Sequence, residues 1–319
     1  MEKVLFIYHF PLGEYAPLLD GMEIIRPETP LARFSRAEML EKAKDATVIV
    51  SAMDQPCDAD LIAAAPHLKA IGTVSVGFNH IDVEAASKRG IAVINSPNEV
   101  TEPTAELAMA LMLDCCRSIS LYDRQLRANR SWTVSLLQER DMTLSGKTLG
   151  VLGFGRIGKS VAKKAMAFGM RIIYFDKFRA SDEVEKAFGA EYMTAEEVLA
   201  KADVVTLHMP YTPENHHFIN DERLALMKPT AYIVNAARGA IIDEAALVRA
   251  LKAGVIRGAG LDVHEDEPRI SEAVASLENV VLTPHVGTNL AEVRMRMLGE
   301  MLNGVIAALR GEKPYNQIN

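Results

Sequence analysis

The stretch "TLGVLGFGRIGKSVAKKAMAFG", residues 148–169, constrains the fold more than any other part of the chain. An apolar run leads into Gly153, Gly155 and Gly158 in G-x-G-x-x-G spacing, and an amphipathic run with helical spacing follows. The spacing alone is a weak signal. Placed between a strand and a helix it predicts a βαβ unit whose first turn holds a dinucleotide pyrophosphate. Gly153 would make the tight turn, Gly155 would let a phosphate approach the backbone, and Gly158 would let the helix pack on the strand. The helix N-terminus would offer N–H groups and a partial positive charge to the phosphates. Asp176 closes the next apolar run, "RIIYFD". A carboxylate there can accept from both ribose hydroxyls and repel a 2′-phosphate, which favours NAD over NADP. Lys177 and Arg179 stand close by and leave NADP open at this stage.

Strand-like and helix-like runs alternate along the rest of the chain. "KVLFIYH", "ATVIV", "LKAIGTVSV" and "IAVINS" read as strands in the first hundred residues. "SRAEMLEKAKDA" reads as a helix capped by Ser35. A second series runs through "KTLGVLGFG", "RIIYFD", "DVVTLHMP", "AYIVNAARG", "GAGLDV" and "NVVLTPH". This predicts an α/β protein of two doubly wound parallel-sheet domains. The segment from Pro103 to about Arg130 reads as one long, largely apolar helix, and a Met-rich helix closes the chain. With 319 residues there is ample material for two cores. The net charge of −7, without a long basic run, argues against nucleic-acid partners. No apolar stretch reaches membrane-spanning length, and the N-terminus lacks a signal-peptide pattern. Cys57, Cys115 and Cys116 form no C-x-x-C, so a cytoplasmic protein with reduced thiols is expected.

Ligands of open parallel sheets bind outside the carboxyl ends of the strands. Arg238 follows "AYIVNAA", the acidic cluster of "GAGLDVHEDEP" follows an apolar run, and His285 ends "NVVLTPH". Arg238, the acids and His285 should therefore gather on the side of the glycine loop. An arginine fork can bind a carboxylate, a histidine can exchange a proton near neutral pH, and a carboxylate can orient the imidazole. That is the set a nicotinamide enzyme needs to reduce a 2-oxo acid. The cluster could instead be a solvated loop or a metal site. The metal reading is poor, because neighbouring side chains of an extended segment point opposite ways and no second ligand cluster accompanies it.

The motifs "LSGKTLGVLGFGRIG", "LHMPYTPENHHFINDERLALMKP", "VNAARGAIIDEAAL", "GLDVHEDEP" and "LTPHVG" stand in order along the chain. With them the sequence resembles the D-isomer-specific 2-hydroxyacid dehydrogenase family, which includes glyoxylate/hydroxypyruvate reductases and phosphoglycerate dehydrogenases. The resemblance implies a flavodoxin-like substrate-binding domain over 1–98 and 287–319, with a Rossmann NAD-binding domain over 99–286. It implies that Arg238 binds the substrate carboxylate and carbonyl, and that Glu267 pairs with His285, the acid–base. Substrate would also meet the backbone of Val76 and Gly77 in "SVGFNHID". Beyond the glycines and Asp176, the cofactor would touch Thr104, Arg156, Ile157, His208, Met209, Pro210, Ala236, Asp262, His285 and Gly287. Asp262 would bind the nicotinamide carboxamide. The side-chain pocket would form near "SAMDQP", with Trp132 entering from a partner subunit of a homodimer. His208, His216 and His217 are expected to pack or face solvent.

Some positions depart from the family pattern. Glu102 stands where Asp is usual, and His264 where an aromatic is common, next to the site. Glu267 argues against formate dehydrogenases of the group, which carry glutamine there. A regulatory domain like that of some phosphoglycerate dehydrogenases is not expected. The expected activity is NAD(H)-dependent interconversion of small 2-oxo acids and D-2-hydroxy acids. An NADH-sensing, corepressor-like binding protein of the same fold is the alternative.

Overall fold

The computed structural model describes residues 1–30, 32–51, 55–133 and 141–319. The chain divides into two compact units, Met1–Val100 with Asn289–Asn319, and Thr101–Thr288. Each crossing falls two residues beyond the expected one.

The first unit holds five strands: β1 (Lys3–Phe6), β2 (Glu23–Ile25), β3 (Val48–Ser51), β4 (Ala70–Thr73) and β5 (Ala92–Ile94). They form one parallel sheet in the order β2-β1-β3-β4-β5. That is the flavodoxin-like doubly wound order. β1, β3 and β4 are almost wholly buried, as expected where helices cover both faces of a parallel sheet. The edge strand β2 has only three residues, none of them buried, so its apolar signal is faint. Ser35 caps the helix Arg36–Ala43 in a capping box: its side chain accepts from Glu38 N–H, and the Glu38 carboxylate accepts from Ser35 N–H at 2.8 Å. The closing helix, Ala291–Leu309, lays Met297, Leu298, Met301, Leu302 and Val305 against β4 and β5. Gly72 of β4 makes this approach possible: a Cβ there would stand 2.2 Å from Met301 Sδ.

The second unit holds β6 (Thr148–Leu152), β7 (Arg171–Phe175), β8 (Ala190–Tyr192), β9 (Val204–Leu207), β10 (Tyr232–Asn235), β11 (Gly258–Leu261) and β12 (Val280–Leu282). All pair in parallel, in the order β12-β11-β10-β9-β6-β7-β8. This is the Rossmann order with one strand added, and its switch point lies between β6 and β9.

The single long helix expected after Pro103 is not what forms. One helix runs Thr101–Arg117 and a second Ile119–Asn129. They break at Ser118, whose φ of +50° is left-handed. Ser118 Oγ donates to Asp141, and Asp114 accepts from Ser120 N–H at 2.8 Å. Those side-chain bonds hold the break, which apolar spacing does not reveal. The first helix lies on β10 and β11, where a Cβ on Gly260 would meet Cys115 Sγ at 3.0 Å. Glu102 ties it to the helix Arg156–Ala167, accepting from Ser160 Oγ and Lys164 Nζ. Among the described residues, no helix is long and apolar enough to cross a membrane.

Candidate active site

Because all strands of the second sheet are parallel, the residues after β6, β7, β9, β10, β11 and β12 leave it at one edge. That edge carries most of the expected site residues.

The glycine loop follows β6. Gly153 has φ +96°, and a Cβ there would meet Met209 N at 2.4 Å and His208 C at 2.6 Å. A Cβ on Gly158 would stand 2.1 Å from Gly153 O. Gly155 differs: nothing lies within 4 Å of its would-be Cβ, so the loop is open to a ligand there. Gly155 is also the N-cap of Arg156–Ala167, and no side chain caps that N-terminus. A tight turn, an open backbone and an uncapped helix end fit a pyrophosphate. After β7, Asp176 accepts from Phe154 N–H at 2.7 Å and Phe178 N–H at 3.0 Å. It thus braces the glycine loop, and each oxygen keeps an acceptor position. Phe154 points inward and stacks on Tyr174 at 4.2 Å. Arg179 is engaged elsewhere: its fork meets both Glu185 oxygens at 2.8–2.9 Å. Arg179 and the Tyr174 hydroxyl pull the Glu185 carboxyl down to about 2.

His208, Met209 and Pro210 follow β9. His208 Nε2 lies 2.8 Å from Thr206 Oγ1, and its buried Nδ1 has no partner among the described residues. Burial pushes the His208 imidazole down to about 3, so it is neutral at physiological pH. His216 and His217 stack on one another at 3.8 Å, and His217 reaches Glu265 at 2.6 Å.

After β10 the chain turns around Asn235, which is wholly buried. Its Oδ1 accepts from Ala237 N–H at 3.0 Å and its Nδ2 donates to Arg238 O at 2.9 Å. This Asx turn aims the arginine. Arg238 is half-buried. One Nη1–H goes to Ala237 O at 2.7 Å, and no carboxylate pairs with the fork among the described residues. Burial lowers its pKa, opposed by the Glu267 charge.

The segments after β11 and β12 supply a carboxylate–imidazole pair. Glu267 Oε2 lies 2.8 Å from His285 Nδ1, and Glu267 Oε1 accepts from His264 N–H at 2.9 Å. Burial raises the Glu267 carboxyl, but the bonds from His285 and His264 outweigh it and hold the carboxyl below its ordinary value. An ionised carboxylate only accepts, so Nδ1 must carry a proton. His285 Nε2 has no protein partner among the described residues. The loop that presents His285 is built on Asp262, which is 1% exposed. Asp262 accepts from Thr283 Oγ1 at 2.6 Å, Val286 N–H at 2.8 Å and Gly287 N–H at 3.0 Å, and its carbonyl accepts from His285 N–H at 2.7 Å. Those bonds hold His285 at φ +53°, an unusual backbone for a non-glycine residue. Thr104 and Gly287 adjoin Asp262: a Cβ on Gly287 would stand 3.3 Å from Asp262 Oδ2 and 3.4 Å from Thr104 Oγ1.

Val76 and Gly77 belong to the other unit. They follow β4, and no acceptor meets their N–H groups among the described residues. Of the expected pocket stretch "SAMDQP", residues 52–54 lie outside the described residues. Trp132 is 79% exposed. Asn235 and Thr283 are site residues beyond those the sequence predicts; the N-x-x-R spacing of an Asx turn is the signal for Asn235, and Thr283 carries none.

A family model described as "D-isomer specific 2-hydroxyacid dehydrogenase, NAD binding domain" matches residues 109–287. The glyoxylate reductase of Thermococcus litoralis is 43% identical over 289 residues, covering 89% of this chain and 87% of its own. That of Pyrococcus furiosus is 43% identical over 290 residues, covering 89% and 85%. The crystal structure of a glyoxylate reductase from Paecilomyes thermophila superposes with a TM-score of 0.87 at 33% identity, over 99% of this chain and 98% of the other. With the sheet orders, the glycine loop and the Arg–Glu–His edge, these likenesses have one meaning: the chain belongs to the D-isomer specific 2-hydroxyacid dehydrogenases, nicotinamide-dependent oxidoreductases that interconvert 2-oxo and 2-hydroxy acids.

Proposed function

We propose that this chain reduces glyoxylate and similarly small 2-oxo acids with NADH, His285 supplying the proton. The observation that carries this reading is the 2.8 Å contact between Glu267 and His285 at the edge that also carries Arg238. Bound nicotinamide supplies the hydride. Glu267 fixes the imidazole tautomer and favours its protonated form, so Nε2–H of the imidazolium faces the developing alkoxide. Arg238, with most of its fork unclaimed, orients the carboxylate and polarises the carbonyl. Val76 and Gly77 give their N–H groups to the carboxylate. In the reverse direction His285 takes the proton back from the hydroxyl.

The cofactor would lie along Gly153, Gly155, Arg156, Ile157 and Gly158, with Thr104, His208, Met209, Pro210, Ala236, Asp262 and Gly287 bordering it. Three donors use three of the roughly four acceptor positions of the Asp262 carboxylate, leaving one on Oδ2 for the nicotinamide carboxamide. Asp176 supports NADH over NADPH, and so does Arg179, whose fork already holds Glu185. The wild-type protein is expected to bind NADH about tenfold or more tightly than NADPH, the scale of one charge contact. Asp176→Ala should narrow that ratio by weakening NADH. Glu185→Gln should narrow it by releasing Arg179 to a 2′-phosphate. Fluorescence titrations of both cofactors, with a panel of 2-oxo acids from glyoxylate to phenylpyruvate, test the reading. Equal or tighter NADPH binding would overturn the preference, and no turnover of any acid would overturn the function.

A cytoplasmic enzyme suits three buried cysteines, none in a disulfide. A homodimer accounts for the exposed apolar side chains of one stretch. Ile119 is 56% and Leu126 48% exposed, seven residues apart on one face of Ile119–Asn129, and Trp132 lies just beyond. Light scattering should give twice the chain mass, and Leu126→Glu should shift the particle toward the monomer; a monomeric wild type contradicts the assignment.

A further inference from the structure

The loop after β4 has an unusual hydrogen-bond account. Val74 O accepts from Arg294 Nη1 at 3.2 Å, Ser75 O from Ser96 N–H at 3.0 Å, and Val76 O from Asn95 Nδ2 at 3.0 Å. Gly77 O accepts from Ser75 Oγ at 2.6 Å, and Phe78 O from Ile81 N–H at 2.9 Å. Five successive carbonyls are thus held by the first unit itself. The N–H groups of Val76, Gly77 and Phe78 meet no acceptor among the described residues. Backbone donors left open beside fully satisfied carbonyls are what an anion-binding nest requires.

Four of these five donors are neutral. Arg294 is not, and it is placed at a disadvantage in three respects. It is half-buried, and burial lowers its pKa. No carboxylate pairs with it among the described residues, whereas Arg296, two positions on, holds Glu99 at 2.6 Å. It also stands near the N-terminus of Ala291–Leu309, the end of a helix that disfavours a cation. An unneutralised cation kept in such surroundings points to an anion that arrives later.

We propose that Arg294 is a positioning residue for the substrate carboxylate: it fixes the Val74 carbonyl so that the N–H groups of Val76, Gly77 and Phe78 face the anion, and it supplies the positive charge beside them. The inference rests on the reading of this loop as the carboxylate loop. Phe78 N–H becomes a third donor in it. The side chains of Val76 and Phe78, 36% and 40% exposed, form an apolar border that suits a small, weakly polar substituent on the acid.

The test is Arg294→Gln and Arg294→Lys in the full-length protein. KM and kcat for glyoxylate are measured, with calorimetric dissociation constants for oxamate and for NADH. Arg294→Gln should raise the glyoxylate KM and the oxamate constant together by about 10- to 100-fold, the range for a hydrogen bond that involves a charge. kcat and NADH affinity should stay within about threefold. Arg294→Lys keeps the charge without the fork and should raise both by roughly fivefold. An oxamate constant within twofold of wild type, in either variant that folds, overturns the proposal. So does a fall in kcat at unchanged KM, the mark of a merely structural residue, or a wild type that binds no oxamate. A wild type that binds oxamate through Arg294 but turns over no 2-oxo acid leaves this inference standing and sinks the proposed function instead.

Discussion

His285→Gln is expected to lower kcat for glyoxylate reduction by about 10³-fold, within the range that a positioned general acid contributes. NADH affinity should change by less than about threefold: the ring borders only the nicotinamide end, where glutamine keeps a polar group, and the phosphate cradle and Asp176 lie on other strands. Glutamine is close in size, so the loss would be chemical rather than a matter of packing. The loop is secured independently of the ring: Asp262 holds Thr283, Val286 and Gly287, and accepts the residue-285 N–H through its carbonyl. A stable variant with intact NADH binding and lost turnover is therefore the expected phenotype. A kcat within tenfold of wild type would remove His285 from the chemistry. A wild type without turnover, but with NADH-dependent association to another protein, would favour the ligand-sensing alternative.

Much of this was legible in the sequence because parallel sheets advertise themselves. Each buried strand is a short apolar run, each is followed by a turn, and the topology places all the turns at one edge. Arg238, Glu267 and His285 could be brought to that edge without coordinates. The illegible parts share a cause, which is that their partners are distant in sequence or their signals short. β2 and β8 are three-residue edge strands, too brief for a period to show. The helix break at Ser118 depends on Asp141, 23 residues away. Asp262 could be nominated for the cofactor, but its bracing of the His285 loop comes from donors 21 to 25 residues downstream. Arg294 is farther still, 220 residues from the carbonyl it holds. Hydrophobic periodicity carries no record of such contacts.

Glu267→Gln separates the carboxylate's charge from its shape. Glutamine can keep an acceptor oxygen toward His285 Nδ1–H, so the imidazole need not turn. What disappears is the negative charge 2.8 Å from the ring, and with it the acceptor for His264 N–H, which then faces the amide nitrogen. That charge favours the imidazolium, the form that donates in reduction. The variant should therefore lose about 10²-fold in kcat near neutral pH. The charge also bears on stability. The Glu267 carboxyl is held below its ordinary value in the folded protein, so its pairing stabilises the fold fully above the ordinary carboxylate range. That contribution is lost as pH falls through the lower folded value. Wild type and variant should thus differ in thermal stability at neutral pH and converge in acid. Because the carboxylate is partly open to solvent, the gap should be small beside the kinetic effect. Steady-state kcat of both proteins near neutral pH, with melting curves from pH 4 to 9, reads both effects. A variant kcat within threefold of wild type would mean that neither the charge of Glu267 nor its bond from His264 N–H serves the proton transfer, and melting curves that do not converge in acid would mean that its pairing with His285 does not stabilise the fold.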